Sequence, residues 1–294
     1  MPFTGVNAAA VPPRTADGAL DLGAALEVVD YLCRAGVKGI ALLGATGEFI
    51  HLNFDERTRL AYMAVKRSRV PVLAGVSHSR LDVAVELGRE AWSAGAAGLL
   101  VMPPYFFRYR QAEIREFYLR LAAEMPRGAP LYLYNLPAFT SAIEPETAAE
   151  LLRSGLFAGI KDSSGDAGYF DRLGGAGGEF LAGDDAVYPR VRAAGAHGTV
   201  SGAACAVPEL MLALDRAIAG DGAAGPLEAR LLEFNAWVDR FPTPVAIRAA
   251  VAARDVKVGP PAVPLSGETR RGLDEFVEWF RGWLPRVQHE AGEA

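Results

Sequence analysis

The sequence predicts an α/β protein, an eight-stranded (β/α)8 TIM barrel with a C-terminal helical extension. Short apolar runs alternate with longer amphipathic ones and recur about every 20 to 35 residues, the length of a βα unit. Runs that are apolar throughout are typical of strands buried on both faces of a parallel sheet. Seven strands are clear and a weaker one precedes them: Phe3–Ala10 (weak), Val37–Leu43, Val70–Gly75, Gly98–Met102, Pro130–Tyr134, Leu156–Ile160, Glu179–Ala182 and Gly198–Val200.

Amphipathic segments between these strands predict the helices of the barrel. Three junctions share an Ala-Gly pair at Gly36, Gly95 and Gly195, each followed by a predicted strand. Glycine directly after a helix, with a strand next, is the expected chemistry of an αβ loop. The clearest helical segments are Asp55–Arg69, Leu81–Ala94, Gln111–Met125 and Glu146–Ser154.

The length of the chain leaves room for more than a barrel. A (β/α)8 barrel takes about 250 residues, and the chain has 294. We therefore expect the barrel in residues 1–224 and a helical extension in residues 225–294. Because no linker rich in Ser or Pro separates the two, the extension is expected to pack on the barrel. Its helical patterns are Pro226–Arg240, Pro244–Arg254 and Glu268–Trp283.

Composition excludes several classes of function. The net charge is −5 and basic residues are dispersed, so no electrostatic footprint for nucleic acid appears. The longest uncharged stretch, residues 91–107, contains glycines and a Pro-Pro pair and predicts no membrane span. Cys33 and Cys205 lie far apart without metal-ligand spacing, and no signal peptide pattern opens the chain. We expect a cytoplasmic protein.

Lys161 is the first candidate for chemistry, since it directly follows the predicted strand Leu156–Ile160. An amine must be neutral to attack a carbonyl, and at the ordinary lysine pKa of about 10.4 only about one in 2,500 is neutral at pH 7. Burial and neighbouring cations favour the neutral form. Taken alone, an ammonium that reaches solvent from a strand end explains the position more simply.

Other strand ends change that interpretation. In (β/α)8 barrels the chemistry lies where strands end and βα loops begin. Tyr134 ends the strand before Lys161, which would place a phenol near the amine to move protons. The segment 44–48 offers backbone N–H groups and the Thr46 hydroxyl to a small anion such as a carboxylate. A plain turn at 44–48 and a packing role for Tyr134 are the alternatives.

At these residues the chain resembles the dihydrodipicolinate synthase / N-acetylneuraminate lyase family. Each matching segment is weak alone, but together their order and spacing are specific, over roughly residues 20 to 285. The segments are Gly44-Ala45-Thr46-Gly47-Glu48, Tyr134-Asn135-Leu136-Pro137, the run from Gly159 to Asp166, Gly183-Asp184-Asp185 and Gly198-Thr199-Val200-Ser201-Gly202.

The resemblance implies a class I lyase acting on pyruvate or another 2-oxo acid without a metal or organic cofactor. It also implies a homotetramer built from dimers. Carried over by position, Lys161 would form a Schiff base with the substrate carbonyl, and Tyr134 would be the acid and base. Thr46, with the backbone N–H groups of Ala45 and Thr46, would hold the carboxylate.

Further substrate contacts follow from the same matching turns. They are Gly47, Gly183 and Val200, with Ser163 as a hydrogen-bond partner for a substrate hydroxyl. Phe139 completes the set, at a position that faces the second substrate in the synthase branch.

Three positions depart from the synthase branch of the family. Ala45 stands where a second hydroxyl is usual, Phe106 replaces a tyrosine that serves a neighbouring subunit, and Phe139 replaces a substrate-binding arginine. Losing the guanidinium matters most for substrate choice. We therefore expect an aldolase or dehydratase of 2-oxo-3-deoxy sugar acids or 4-hydroxy-2-oxo acids, with the synthase reaction on aspartate semialdehyde as the alternative.

Other interpretations stay open at this point. Phe49, Phe106, Phe107 and Phe139 would suit a hydrophobic aldehyde, although aromatics near a barrel rim are more often packing or interface residues. A non-catalytic sensor of 2-oxo acids would not need both the lysine and the tyrosine. Metal chemistry is disfavoured because the four histidines are scattered and His197 precedes a strand.

Overall fold

The computed structural model describes residues 1–220 and 224–293 and confirms the barrel. Eight parallel strands pair in chain order, and β1 closes the ring by pairing with β8. Every residue of the strands is buried except one in β7. The strands are β1 (Gly5–Ala9), β2 (Gly39–Leu42), β3 (Val72–Gly75), β4 (Gly98–Val101), β5 (Leu131–Asn135), β6 (Gly159–Asp162), β7 (Glu179–Ala182) and β8 (Gly198–Ser201).

Helices surround the barrel and continue beyond it. Those of the barrel are α1 (Leu22–Ala35), α2 (Phe54–Arg67), α3 (Leu81–Ala94), α4 (Gln111–Glu124), α5 (Pro145–Arg153), α6 (Tyr188–Ala193), α7 (Ala203–Ala206) and α8 (Pro208–Ala219). Short 3-10 turns lie at Phe49–His51 and Asp171–Leu173. The extension consists of α9 (Gly225–Val238), α10 (Val245–Ala252) and α11 (Gly267–Glu293).

The glycine-rich αβ loops behave as predicted. Gly36, Gly95 and Gly195 have φ values of 88°, 102° and 104°, a left-handed conformation that a side chain disfavours. Each lies just after a helix and turns the chain into the next strand. The start of α2 is also determined by neighbouring residues, since Asn53 and Glu56 form a reciprocal capping box there.

One strand boundary differs in a way that matters for the site. The predicted strand Leu156–Ile160 lies instead at Gly159–Asp162, so Lys161 lies inside β6 and not after it. Leu156 is half exposed, whereas pairing with β5 runs on through Asp162. Register with the neighbouring strand therefore outweighs the polarity of the side chains in deciding where β6 ends.

The floor of the barrel is closed by polar bonds to one buried carboxylate. Glu179, at the start of β7, accepts hydrogen bonds from the backbone N–H of Phe3 (3.0 Å) and the hydroxyl of Tyr132 (2.6 Å). The Phe3 ring packs edge-on against Tyr132. Access to the interior is therefore from the opposite end, where the strands terminate.

The extension packs on the barrel through contacts of α9 and α11 with α8, and an aromatic cluster holds α9 and α11 together. Phe234 of α9 contacts Phe276, Phe280 and Trp283 of α11, and all four are buried. Helix α11 continues to Glu293, beyond its predicted end at Trp283. The predicted domain boundary between residues 224 and 225 stays a prediction, since residues 221–223 and 294 lie outside the described residues. No helix in the described ranges is long and apolar enough to cross a membrane.

Strands β5 and β6 are locked in register by a buried polar pair. The amide of Asn135 donates to the carboxyl of Asp162 at 2.6 Å, and its carbonyl accepts the N–H of Ile143. The hydroxyl of Ser164 donates to the second oxygen of Asp162 at 2.7 Å. Burial raises the pKa of Asp162 to about 6, against the hydrogen bonds that lower it. Because these side chains alternate with Tyr134 and Lys161, they point to the other face of the sheet.

The raised pKa of Asp162 makes stability depend on pH. The pKa of Asp162 is higher in the folded protein than the unfolded value of 3.8. The carboxyl group therefore contributes its full stabilisation below pH 3.8, and this stabilisation is lost as the pH rises through about 6. Asn at this position can accept from Asn135 through its amide oxygen and donate to Ser164 through its amide nitrogen, without a charge. We expect Asp162→Asn to be about 3 kcal/mol more stable than wild type at pH 7 and nearly equal at pH 4. Urea unfolding across this range measures the difference, and a difference that does not change with pH would contradict the assignment.

Candidate active site

An amine and a phenol meet inside the barrel. Tyr134 and Lys161 are direct partners in the register of β5 with β6, so their side chains point to the same face. The side-chain nitrogen Nζ of Lys161 donates to the Tyr134 hydroxyl at 3.1 Å. Lys161 is 5% exposed and Tyr134 is 2% exposed. The pair is sheltered from bulk water and close enough for proton exchange.

Gly183, which directly follows β7, packs against this lysine. A β-carbon at Gly183 would lie 2.5 Å from Cε of Lys161 and 2.0 Å from the hydroxyl oxygen of Ser163. Real β-carbons do not approach other atoms so closely, so a side chain here would displace the lysine or the serine. The Ser163 hydroxyl is buried and has no hydrogen-bond partner among the described residues. It remains available to a bound molecule.

The loop after β2 brings two backbone donors to the same end of the barrel. Within the described ranges, neither Ala45 nor Thr46 donates its backbone N–H to a backbone carbonyl. Gly47 turns the loop tightly, because a β-carbon there would lie 2.4 Å from the backbone nitrogen of Leu43. Gly47 thus shapes the loop through its lack of a side chain. Donors of this kind form an anion-binding concavity.

A buried ion pair holds this loop. Glu48 has a φ of 45°, and its carboxylate accepts from the guanidinium of Arg248 in α10 at 2.6 Å. Arg248 also donates to the carbonyls of Pro12 and Val258 at 2.6 and 2.5 Å. The two charged side chains are 4% and 6% exposed. Through this pair the extension fixes a loop of the barrel.

Two cavities open on either side of the loop. The first, of about 260 Å³, is mostly polar and is called the polar cavity; it is lined by Thr46, Gly183, Asp184, Asp185, Gly202, Asn235, Asp239 and Thr243, among others. It thus brings Thr46 together with Gly183, the neighbour of Lys161. Burial raises the pKa of Asp185, whose second carboxylate oxygen accepts the backbone N–H of Ala203 at 2.9 Å.

The second cavity, of about 470 Å³, is lined mainly by apolar side chains and is called the apolar cavity. Ala45 and Thr243 border it, so it adjoins the polar cavity. Phe139 lies here, 58% exposed. The other lining residues are the apolar Phe49, Ile50, Met102, Phe106 and Leu136 and the polar Glu48, His51 and Tyr105.

The last of the predicted site residues is Val200. It lies in β8 and is buried in the same hydrophobic cluster as Tyr134. Asp185 and Arg248 were not predicted as site residues. Asp185 could have been found from the sequence, because its carboxylate comes shortly after a predicted strand and a glycine. By contrast, nothing in the sequence connects Arg248 with Glu48.

His51 lines the apolar cavity and the His78 ring packs edge-on against Tyr105, whereas His197 and His289 lie elsewhere. His197 precedes β8, as predicted, and its ring nitrogen Nδ1 accepts the backbone N–H of Phe180 at 3.0 Å. Among the described residues, no three His, Cys, Asp or Glu side chains converge as ligands for a metal ion.

Breaking the Glu48–Arg248 pair should be costly, because either single change leaves a buried charge without its partner. We expect Glu48→Gln and Arg248→Met each to lower the free energy of unfolding by about 3 kcal/mol, and the double variant to lose much less than their sum. The matched control is the exposed pair of Glu116 and Arg120 in α4, where coupling should be about 0.5 kcal/mol or less. Additive losses in urea unfolding at Glu48 and Arg248 would contradict this role.

Comparison with known proteins shows the family. The model of the "Dihydrodipicolinate synthetase family" matches residues 2–279. The chain is 34% identical over 291 residues to a protein of Synechococcus sp. (strain CC9605) named 4-hydroxy-tetrahydrodipicolinate synthase, covering 95% of this chain and 96% of that protein.

Solved structures agree with this match. Dihydrodipicolinate synthase from Aquifex aeolicus superposes with a TM-score of 0.89 at 26% identity, over 96% of this chain and 99% of that one. YagE, a prophage protein of the dihydrodipicolinic acid synthase family from E. coli K12 solved in complex with pyruvate, gives 0.86 at 27% identity, over 95% and 99%. The chain therefore belongs to the dihydrodipicolinate synthetase family.

Proposed function

We propose that this protein is a lyase that binds a 2-oxo acid as a Schiff base on Lys161 and makes or breaks a bond of that acid. The observation that carries the proposal is the buried contact of 3.1 Å between the Lys161 amine and the Tyr134 phenol. The similar YagE structure was solved in complex with pyruvate, which supports a 2-oxo acid as the ligand of this fold.

The proposed chemistry uses the lysine as an electron sink. The amine attacks the substrate carbonyl, and loss of water gives an iminium ion. In the cleavage direction the C4 hydroxyl loses its proton to a base, the C3–C4 bond breaks, and the C4 fragment leaves as an aldehyde. The electron pair of the broken bond enters the iminium to form a neutral enamine. Protonation at C3 and hydrolysis by water then return pyruvate and the free amine. Tyr134, adjacent to the amine, is the residue we assign to these proton transfers.

The carboxylate of the 2-oxo acid is assigned to the loop after β2. The backbone N–H groups of Ala45 and Thr46 and the Thr46 hydroxyl are the proposed donors. Support comes from the polar cavity, which Thr46 shares with Gly183, the residue packed on Lys161. Ser163, Gly183 and Val200 are proposed to complete the wall around the bound acid, and Gly47 to shape the loop.

The substrates we propose are 4-hydroxy-2-oxo acids. The 2-oxo-3-deoxy sugar acids are the members of this class that carry further hydroxyl groups beyond C4. Dehydration of such acids passes through the same enamine and remains within the proposal. The synthase reaction with aspartate semialdehyde is disfavoured by Phe139, which presents a phenyl ring where a cation would be needed for the carboxylate of that substrate. A small-molecule substrate, no further cofactor and a homotetramer complete the proposal.

Trapping the imine tests the proposed function. With pyruvate and borohydride, wild-type protein should gain one covalent adduct at Lys161, detected by mass spectrometry. Lys161→Ala should gain none at this position. Tyr134→Phe keeps the amine but loses the proton donor, and its adduct should form about 100-fold more slowly. Wild-type protein without an adduct at Lys161 would refute the proposal and favour a sensor that binds 2-oxo acids without covalent chemistry.

Gly183→Ala tests whether the packing around the amine matters. The added methyl group should push the lysine from its position, and a displacement of about 1 Å can slow a positioned reaction by about 100-fold. We expect a loss of this order in the rate of adduct formation with pyruvate. Gly282→Ala in α11 is the matched control, since no atom lies within 4 Å of its added β-carbon. Equal rates for the two variants would show that the Gly183 contact is not needed.

A further inference from the structure

The apolar cavity has a composition that the Schiff-base chemistry itself does not require. Its floor is formed by Phe49, Met102 and Leu136, which are 7%, 2% and 7% exposed. Its rim carries Phe106 and Phe139, which are 88% and 58% exposed. Aromatic rings held this far in water are unfavourable unless something covers them, and the cover is either a bound fragment or a neighbouring copy in the proposed homotetramer.

The backbone at the rim adds a second observation. Phe106 has a φ of 83°, a left-handed conformation that bulky residues rarely adopt. Such strain is kept where the position of a side chain matters, and it often marks a ligand site. Here it holds a phenyl ring at the opening of the cavity.

The cavity is placed to receive part of a substrate. In the proposed function, the carboxylate of the 2-oxo acid binds at Thr46, which lines the polar cavity together with Gly183. The apolar cavity begins at the next residue, Ala45, and shares Thr243 with the polar one. Its volume of about 470 Å³ lies in the range of small-molecule sites. The apolar cavity therefore lies next to the polar one, beside the loop that we assign to the carboxylate.

We infer that the apolar cavity binds the C4 substituent of the substrate, and that this substituent is an aromatic or branched aliphatic group. The inference rests on the proposed function and narrows its substrate class. Hydroxyl groups of a polyhydroxylated fragment that face Phe49, Met102 and Leu136 would have no partners there, and each such group weakens binding by about tenfold or more. An apolar fragment gains affinity from the same surfaces.

In the direction of synthesis, the enamine of pyruvate on Lys161 attacks the carbonyl carbon of an apolar aldehyde, and a C3–C4 bond forms. The aldehyde oxygen takes a proton from Tyr134, the residue assigned to proton transfer, and becomes the C4 hydroxyl. Water then hydrolyses the iminium and releases a 4-hydroxy-2-oxo acid and the free amine.

The test compares aldehydes that differ in polarity, using the full chain and pyruvate. Benzaldehyde and isovaleraldehyde should be consumed with a kcat/KM at least about tenfold higher than glyceraldehyde or aspartate semialdehyde. Leu136→Asn should lower kcat/KM for benzaldehyde by about tenfold, and Phe139→Ala by a smaller factor. Leu232→Ala is the matched control: its side chain is 57% exposed in α9, and it does not line the cavity.

Adduct formation with pyruvate and borohydride, measured on the same samples, separates two kinds of failure. If the adduct forms but hydroxylated or charged aldehydes are preferred, the inference is overturned and the proposed function stands. If Leu136→Asn and Phe139→Ala change the mass of the assembly in solution and not the preference among aldehydes, the cavity serves contact between copies and the inference is overturned. Without any adduct at Lys161, both proposals fall.

Discussion

The in-register pairing of β5 with β6 is the constraint on which the rest of the site depends. It makes Tyr134 and Lys161 direct neighbours on one face of the sheet and Asn135 and Asp162 direct neighbours on the other. A shift of the register by one residue would turn all four side chains to the opposite face. The buried bond between Asn135 and Asp162 opposes such a shift. A structural pair behind the sheet thus fixes the distance between an amine and a phenol in front of it.

The other part of the proposed site, the loop after β2, depends on residues that are distant along the chain. The loop after β2 is held by Glu48, whose partner Arg248 belongs to the C-terminal extension. Arg248 also binds carbonyls at Pro12 and Val258, so one guanidinium joins three segments. The extension therefore contributes more than apolar packing. Helices α9 and α11 pack against α10, and Arg248 of α10 holds the loop that we assign to the carboxylate.

Much of the fold was predictable because it depends on local patterns. Apolar runs, helix periodicity and the glycines at 36, 95 and 195 specify a βα repeat, and closure of the barrel follows from the number of strands. The end of β6 was placed wrongly, because pairing with a neighbour decides a strand end and polarity suggested otherwise. At the site, Lys161 and Tyr134 could be found from their positions near strand ends. The Glu48–Arg248 pair could not, since a contact across 200 residues leaves no local signal.

The central claim is that one 2-oxo acid contacts the lysine, the phenol and the loop after β2 at the same time. The most direct measurement is a crystal structure of the protein with pyruvate. The account predicts electron density that continues from Nζ of Lys161 into C2 of pyruvate, with the carboxylate on the backbone N–H groups of Ala45 and Thr46 and the Tyr134 hydroxyl within hydrogen-bonding distance of the imine. Pyruvate bound elsewhere, with the lysine unmodified, would contradict it.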